Sequence, residues 1–204
     1  EVRMIKSILI ANRGEIAVRI ARTCREMGIH TVAVFSDADA QSLHVKLCDE
    51  AVCIGPPDSR KSYLNISNII SAAILKGCDA IHPGVGFLAE NAHFAREVEK
   101  AGLIFIGPRP ETIDLLGDKI HAKQSAIDAG LPVIPGLCEK ASRSERTLSV
   151  VREIGFPVIV KAAAGGGGKG MRIVQKEEDL FAALSLASSE AEKSFSDGTV
   201  YLEK

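Results

Sequence analysis

Lys161, Lys169 and Arg172 bracket four consecutive glycines, Gly165, Gly166, Gly167 and Gly168, in the stretch FPVIVKAAAGGGGKGMRIVQ. Residues of these types in this order suit anion binding. Without Cβ atoms the backbone N–H groups can turn towards a polyphosphate and approach it closely, while the cations offset its charge. The stretch is not a Walker loop, which needs GxxxxGK, then Ser or Thr, then a helix; here Gly170 and Met171 follow Lys169, and MRIVQ alternates like a strand. The dinucleotide fingerprint also opens a helix. Strand, glycine loop and strand together predict a hairpin that folds over a nucleotide, with a simple surface hairpin as the alternative. Lys161 ends an apolar strand, where an unpaired ammonium is expensive.

A second group of residues is His82-Pro83-Gly84-Val85-Gly86-Phe87-Leu88-Ala89-Glu90-Asn91, which follows the apolar run DAIH. Gly84 and Gly86 would let a ligand approach the backbone, His82 is titratable, and Glu90 is expected to begin the next helix. His-Pro-Gly is equally an ordinary turn. Near the start of the chain, Asn12-Arg13-Gly14-Glu15 has one glycine where a dinucleotide-binding turn needs three. This disfavours an oxidoreductase.

The elements that must position these residues are legible from periodicity. SILIA reads as a buried strand, and residues 14–28 carry apolar side chains at 16, 17, 20, 21, 24 and 27, one face of a helix ending at Gly28. TVAVF, EAVCI, DAIH and LIFIG recur as short apolar runs, with helices predicted in NISNIISAAILKG and ENAHFAREVEKAG. The alternation predicts a Rossmann-like parallel sheet, helices on both faces, over residues 1–107. Residues 108–130 read as a helical linker broken at Gly117. A small α+β unit follows over residues 131–204: a short strand near Leu131, a helix at 145–154, the glycine hairpin, a long helix at 176–193 and a last strand, TVYLEK.

Composition agrees with an α/β protein. Of 204 residues 46% are hydrophobic and only 4% aromatic, and the formal charge of −1 leaves no general nucleic-acid footprint, so any phosphate site must be local. The five cysteines, Cys24, Cys48, Cys53, Cys78 and Cys138, show no CxxC spacing and read as reduced core residues. No signal peptide or membrane span is visible, and a cytoplasmic protein is expected.

Taken together, the segments SILIANRGEIAVRIARTCREMGI, CDEAVCIGPPDSRKSYLN, AIHPGVGFLAENAHFA, FIGPRPETIDLLGDK, FPVIVKAAAGGGGKGMRIV and VYLEK closely resemble biotin carboxylase, the ATP-grasp component of biotin-dependent carboxylases. The resemblance implies a Rossmann-like (pre-ATP-grasp) domain and an ATP-grasp lid domain. A larger ATP-grasp domain, bearing the magnesium ligands, the bicarbonate site and the main catalytic arginine, would lie beyond Lys204. It also implies roles. Lys119 and Lys161 would contact the nucleotide, with a solvated helix lysine as the plain alternative for Lys119. Gly165, Gly166, Gly167 and Gly168 would close on the triphosphate. Glu203 and Lys204 would begin the hinge that holds adenine, and His82, Gly84, Gly86 and Glu90 would lie on the substrate side. No catalytic residue and no metal ligand is expected within the chain.

The implied reaction consumes ATP with Mg²⁺ to phosphorylate bicarbonate, and the carboxyphosphate so formed supplies carbon dioxide to N1 of biotin on a biotin carboxyl carrier protein or domain. A carboxyltransferase would then complete acetyl-CoA carboxylase in fatty acid synthesis, the full-length protein being a homodimer and this part inactive alone. Alternatives are the front of a pyruvate or propionyl-CoA carboxylase, another ATP-grasp ligase such as carbamoyl-phosphate synthetase, or a non-catalytic folding or dimerisation module. Five positions depart from the family or leave its reading open. Val85 stands where an aromatic residue is frequent, Ala164 replaces a loop glycine of some relatives, and Arg19, Arg22 and Glu26 form either an interface or a solvated helix face.

Overall fold

The computed structural model of the chain describes residues 4–163, 171–195 and 197–204. These fall into two compact units, Glu1–Asp114 and Leu115–Lys204.

The first unit is built around five parallel strands: β1 (Ser7–Ile10), β2 (His30–Ser36), β3 (Glu50–Gly55), β4 (Ala80–His82) and β5 (Ile104–Phe105), in the order β3-β2-β1-β4-β5. Parallel neighbours require crossovers, and these contain α1 (Gly14–Glu26), α2 (Leu43–Leu47), α3 (Ile66–Leu75) and α4 (Ala92–Lys100). Side chains alternate across the sheet. Leu9, Ala11 and Ile81 meet Ile69, Ala73, Phe94 and Val98 from α3 and α4, while Ile8, Ile10 and Ala80 meet Ala17, Ile20, Ala21 and Cys24 from α1. Both faces are therefore covered, which explains why these strands are apolar throughout. The strand order reverses between β1 and β4, and ligands of such sheets gather at the carboxyl ends on either side of that point.

Two details differ from the sequence expectation. Glu90 does not begin α4; it lies exposed in a turn, and Asn91 caps the helix through Oδ1, which accepts from Phe94 N at 2.8 Å. A short polar side chain at the N-cap outcompetes a glutamate there. Cys53 is exposed rather than core, because β3 is the sheet edge; Cys24 and Cys78 are buried, Cys48 and Cys138 half-buried, and all five thiols are free.

Helix α5 (Pro110–Gly117) runs up to Asp118, where α6 (Lys119–Asp128) begins. The second unit continues with α7 (Glu145–Ile154), β6 (Val158–Ala162), β7 (Arg172–Val174), α8 (Leu180–Phe195) and β8 (Val200–Glu203), its three strands antiparallel in the order β7-β6-β8. Val158 and Val160 of β6 pack with Val151, Leu180, Leu184 and Leu202. The strand expected near Leu131 is reduced to a single bridge between Gly136 and Glu203, flanked by bonds from Leu137 N to Leu202 O and from Lys204 N to Pro135 O. Pro132 and Pro135 have no N–H to donate, so a longer ladder cannot form. Among the described residues no helix is long and apolar enough to cross a membrane.

Candidate functional site

In the second unit the site is assembled by one helix and two strands. Asp118 fixes where α6 starts: its Oδ1 accepts from Ile120 N at 2.9 Å and from His121 N at 2.8 Å. Lys119 thereby becomes the first helical residue, and its Nζ donates to Ala163 O at 3.2 Å, at the end of β6 where the glycine stretch begins. Four residues on, and so on the same helix face, Lys123 reaches Glu203 of β8 with Nζ 3.3 Å from Oε1. Lys161 of β6 takes the other oxygen, Nζ 2.6 Å from Oε2.

The three side chains differ in exposure. Lys123 is 6% exposed, Glu203 12% and Lys161 28%, so Lys161 alone of the three offers solvent a substantial part of its length. Burial pushes the Glu203 carboxyl up, but the hydrogen bond from Lys161 and the charges of both lysines outweigh it and hold the group below the usual glutamate range. Tyr201 is pushed up to about 12, by burial first and then by the negative charge of Glu203. An ammonium has three donors and each carboxylate oxygen two lone pairs, so Lys161 can engage an anion, and Glu203 a donor, without breaking their bond. Lys204 is turned elsewhere, its Nζ donating to Gly155 O at 2.9 Å and Phe156 O at 3.2 Å. Arg172 is bonded to Glu190 at 2.7 Å. Gly165, Gly166, Gly167, Gly168 and Lys169 lie outside the described residues.

Sequence reasoning missed Lys123 and Gly136. The first had a signal in its i, i+4 spacing from Lys119. The second had none: a Cβ on Gly136 would meet Leu202 O, lie 2.8 Å from Lys123 Nζ and 3.0 Å from Glu203 Cα, so the glycine is needed for close approach.

In the first unit the carboxyl ends of β1 and β4 carry the second group. Asn12, buried, donates from Nδ2 to Pro83 O at 2.8 Å and to Val85 O at 3.0 Å, and so fixes the loop after His82. Gly84 sits at φ +69 and a Cβ there would lie 2.6 Å from Ile16 Cγ2 and 2.7 Å from Asn12 Nδ2; Gly86, at φ +76, faces open space. His82 Nδ1 accepts from Gly84 N at 3.0 Å, leaving the proton on Nε2, and burial followed by the charge of Arg19 pushes its pKa down. Val85 and Glu90 are exposed. Beside this loop, Arg13 is paired with Asp39, which also accepts from Tyr63 OH at 2.7 Å and Ser36 Oγ at 3.1 Å. The Tyr63 ring stacks on Phe87 at 5.0 Å and 15°, with Phe87 itself at φ +44. Asn12 and Tyr63 are thus the supports of the loop, and neither was singled out by sequence pattern. Arg19, Arg22 and Glu26 are exposed along α1.

The segments that carry these two groups match known protein families. A family model described as biotin carboxylase, N-terminal domain, matches residues 4–113. The chain belongs to the biotin carboxylase family. Residues 118–204 match a family model described as carbamoyl-phosphate synthase L chain, ATP binding domain. Biotin carboxylase of Allochromatium vinosum is 54% identical over 98% of this chain and 45% of its own length. Among solved structures, the Campylobacter jejuni biotin carboxylase–β-γ-ATP complex superposes with a TM-score of 0.93 at 51% identity, over 98% of this chain and 45% of that one. The Hydrogenobacter thermophilus 2-oxoglutarate carboxylase biotin carboxylase domain dimer, in complex with MgADP, ADP and bicarbonate, gives 0.91 at 46% identity, over 99% and 44%. The chain spans about half the length of the curated relatives it matches.

Proposed function

We propose that the protein carrying this chain uses ATP and bicarbonate to carboxylate biotin held on a carrier protein or domain. The observation that carries this reading is the lysine cluster at the root of the glycine stretch, in a chain of the biotin carboxylase family: Lys119 on Ala163 O, and Lys161 on Glu203. In this reading residues 131–204 are the ATP-grasp lid. Lys119, Lys161 and the amides of Gly165, Gly166, Gly167 and Gly168 hold the phosphates, and Glu203 and Lys204 begin the adenine hinge. His82, Gly84, Gly86 and Glu90 line the substrate side. Their work is positioning and charge neutralisation as the γ-phosphoryl group passes to bicarbonate, giving the carboxyphosphate that delivers carbon dioxide to biotin N1. The described residues contain no group of three His, Cys, Asp or Glu able to hold a metal, and in this reading magnesium is held elsewhere, between carboxylates and the phosphates of ATP. Its ligands are assigned to other parts of the protein, and the part ending at Lys204 is inactive alone.

We further propose that the carboxyl group passes through a carboxyltransferase to acetyl-CoA for fatty acid synthesis in the cytoplasm, and that the full protein is a homodimer with Arg19, Arg22 and Glu26 of α1 at its interface. The test is ATP hydrolysis by the full-length protein with and without bicarbonate and free biotin. Dependence on both is expected, and biotin-independent hydrolysis at the same rate would overturn the reading. Supplying acetyl-CoA, propionyl-CoA or pyruvate to the assembled enzyme then identifies the acceptor, carboxylation of acetyl-CoA alone being the expected result.

A further inference from the structure

Resting on that nucleotide reading, we infer that Lys123 is a positioning residue whose buried ammonium offsets the charge of Glu203, leaving Lys161 with an uncompensated positive charge for the phosphates of ATP. Lys161 and Glu203 by themselves would form a neutral pair, and a carboxylate 2.6 Å from the ammonium would repel an arriving phosphate nearly as much as the lysine attracts it. The third charge changes the balance. Two ammonium groups and one carboxylate leave one net positive charge, and Lys123, 6% exposed, is too deep to meet the ligand itself.

Stability does not account for Lys123. Glu203 already has Lys161 as partner, and the desolvation of a second, buried ammonium offsets much of its attraction to the carboxylate. That ammonium lies beside Gly136, where the close approach of Leu202 O and Glu203 Cα already requires glycine and a Cβ would fall 2.8 Å from Lys123 Nζ. Among the described residues, the titratable groups facing Glu203 are Lys123 from α6, Lys161 from β6 and Tyr201 from β8 itself, and Tyr201 stays neutral at physiological pH. Removing Lys123 therefore leaves Lys161 as the only positive charge on this carboxylate among the described residues.

The experiment is isothermal titration of full-length protein with adenosine, ADP and ATP, for the wild type, Lys123→Met and Lys123→Arg, with melting curves to establish that each variant is folded. Lys123→Met is expected to weaken ATP about tenfold and adenosine less than about twofold, since only the phosphates read the local charge. Lys123→Arg should stay near the wild type. In the Lys123→Met background, Glu203→Gln, which also touches the adenine hinge and is therefore read as the ratio of ATP to adenosine affinity, should return that ratio towards the wild type by removing the carboxylate that neutralises Lys161. Equal losses for adenosine and ATP would reduce Lys123 to a structural role and overturn the inference, as would unchanged ATP affinity in Lys123→Met. A wild type that binds none of the three would overturn the nucleotide reading itself, and this inference with it.

Discussion

Lys161 and Glu203 are diagonal neighbours across two antiparallel strands: Lys161 stands opposite Tyr201 and Glu203 opposite Ile159, so both side chains rise from the same face and meet at 2.6 Å. The other face of β6 carries Val158, Val160 and Ala162 into the core. A shift of one residue in register would bury the lysine among valines. The hydrophobic pattern that folds the small sheet is thus the same pattern that aims Lys161 at its carboxylate.

Lys119→Ala and Lys161→Ala in the full-length protein should each weaken the use of ATP by about 1.5–3 kcal/mol, the value of a charge-assisted hydrogen bond. Lys193→Ala, an exposed lysine near the end of α8, is the control. Steady-state kinetics with varied ATP decide it; three variants with identical kcat/KM for ATP would remove both lysines from the nucleotide site.

Gly84→Ala and Gly86→Ala should behave differently although both positions have positive φ. The first adds contacts of 2.6 and 2.7 Å with Ile16 and Asn12 to the backbone strain, while the second meets nothing within 4 Å. Chemical denaturation is expected to show a loss of about 1 kcal/mol for Gly86→Ala and of about 2–4 kcal/mol for Gly84→Ala. Equal losses would mean that the support of Asn12 beneath the loop is slack.

Asp39 is the most strongly perturbed carboxylate of the first unit among the described residues. The hydrogen bond from Arg13, with further bonds from Tyr63 and Ser36, outweighs burial and holds its carboxyl well below the usual aspartate range. A depressed folded value gives stability that is complete above the unfolded value of 3.8 and is lost as pH falls through the folded one. Asp39→Asn should therefore lower stability at pH 7 by about 1.5–3 kcal/mol, with the gap to the wild type closing on strong acidification. Urea denaturation across pH 2–7 measures this, and a gap that does not depend on pH would assign the loss to packing.

Asp118→Ala should shorten the start of α6 at a cost of about 1 kcal/mol, because Ile120 N and His121 N lose their acceptor. Since Lys119 is the next residue, the apparent KM for ATP should rise while kcat changes little. A melting-temperature drop with unaltered ATP kinetics would separate the cap from the site.

The sequence by itself determined the α/β architecture, the helices on both sheet faces and the family, because each rests on local pattern: apolar runs of strand length, helical spacing, and motifs kept in order. It also picked out Lys119, Lys161 and Glu203. What tertiary structure decided is who faces whom. Lys123 and Glu203 are eighty positions apart, and only the packing of α6 against β8 makes a carboxylate shared by two lysines. Gly136 looks like any turn glycine until Leu202 O and Lys123 Nζ are placed beside it. Asn12 reads as part of a turn after β1, yet the parallel pairing of β1 with β4 puts its amide under Pro83 and Val85. Register, edge position and close approach depend on long-range pairing, as the exposure of Cys53 on edge strand β3 and the failure of the strand around Pro132 and Pro135 also record. A linear pattern carries the period of an element, whereas its neighbours are chosen only when the whole core closes.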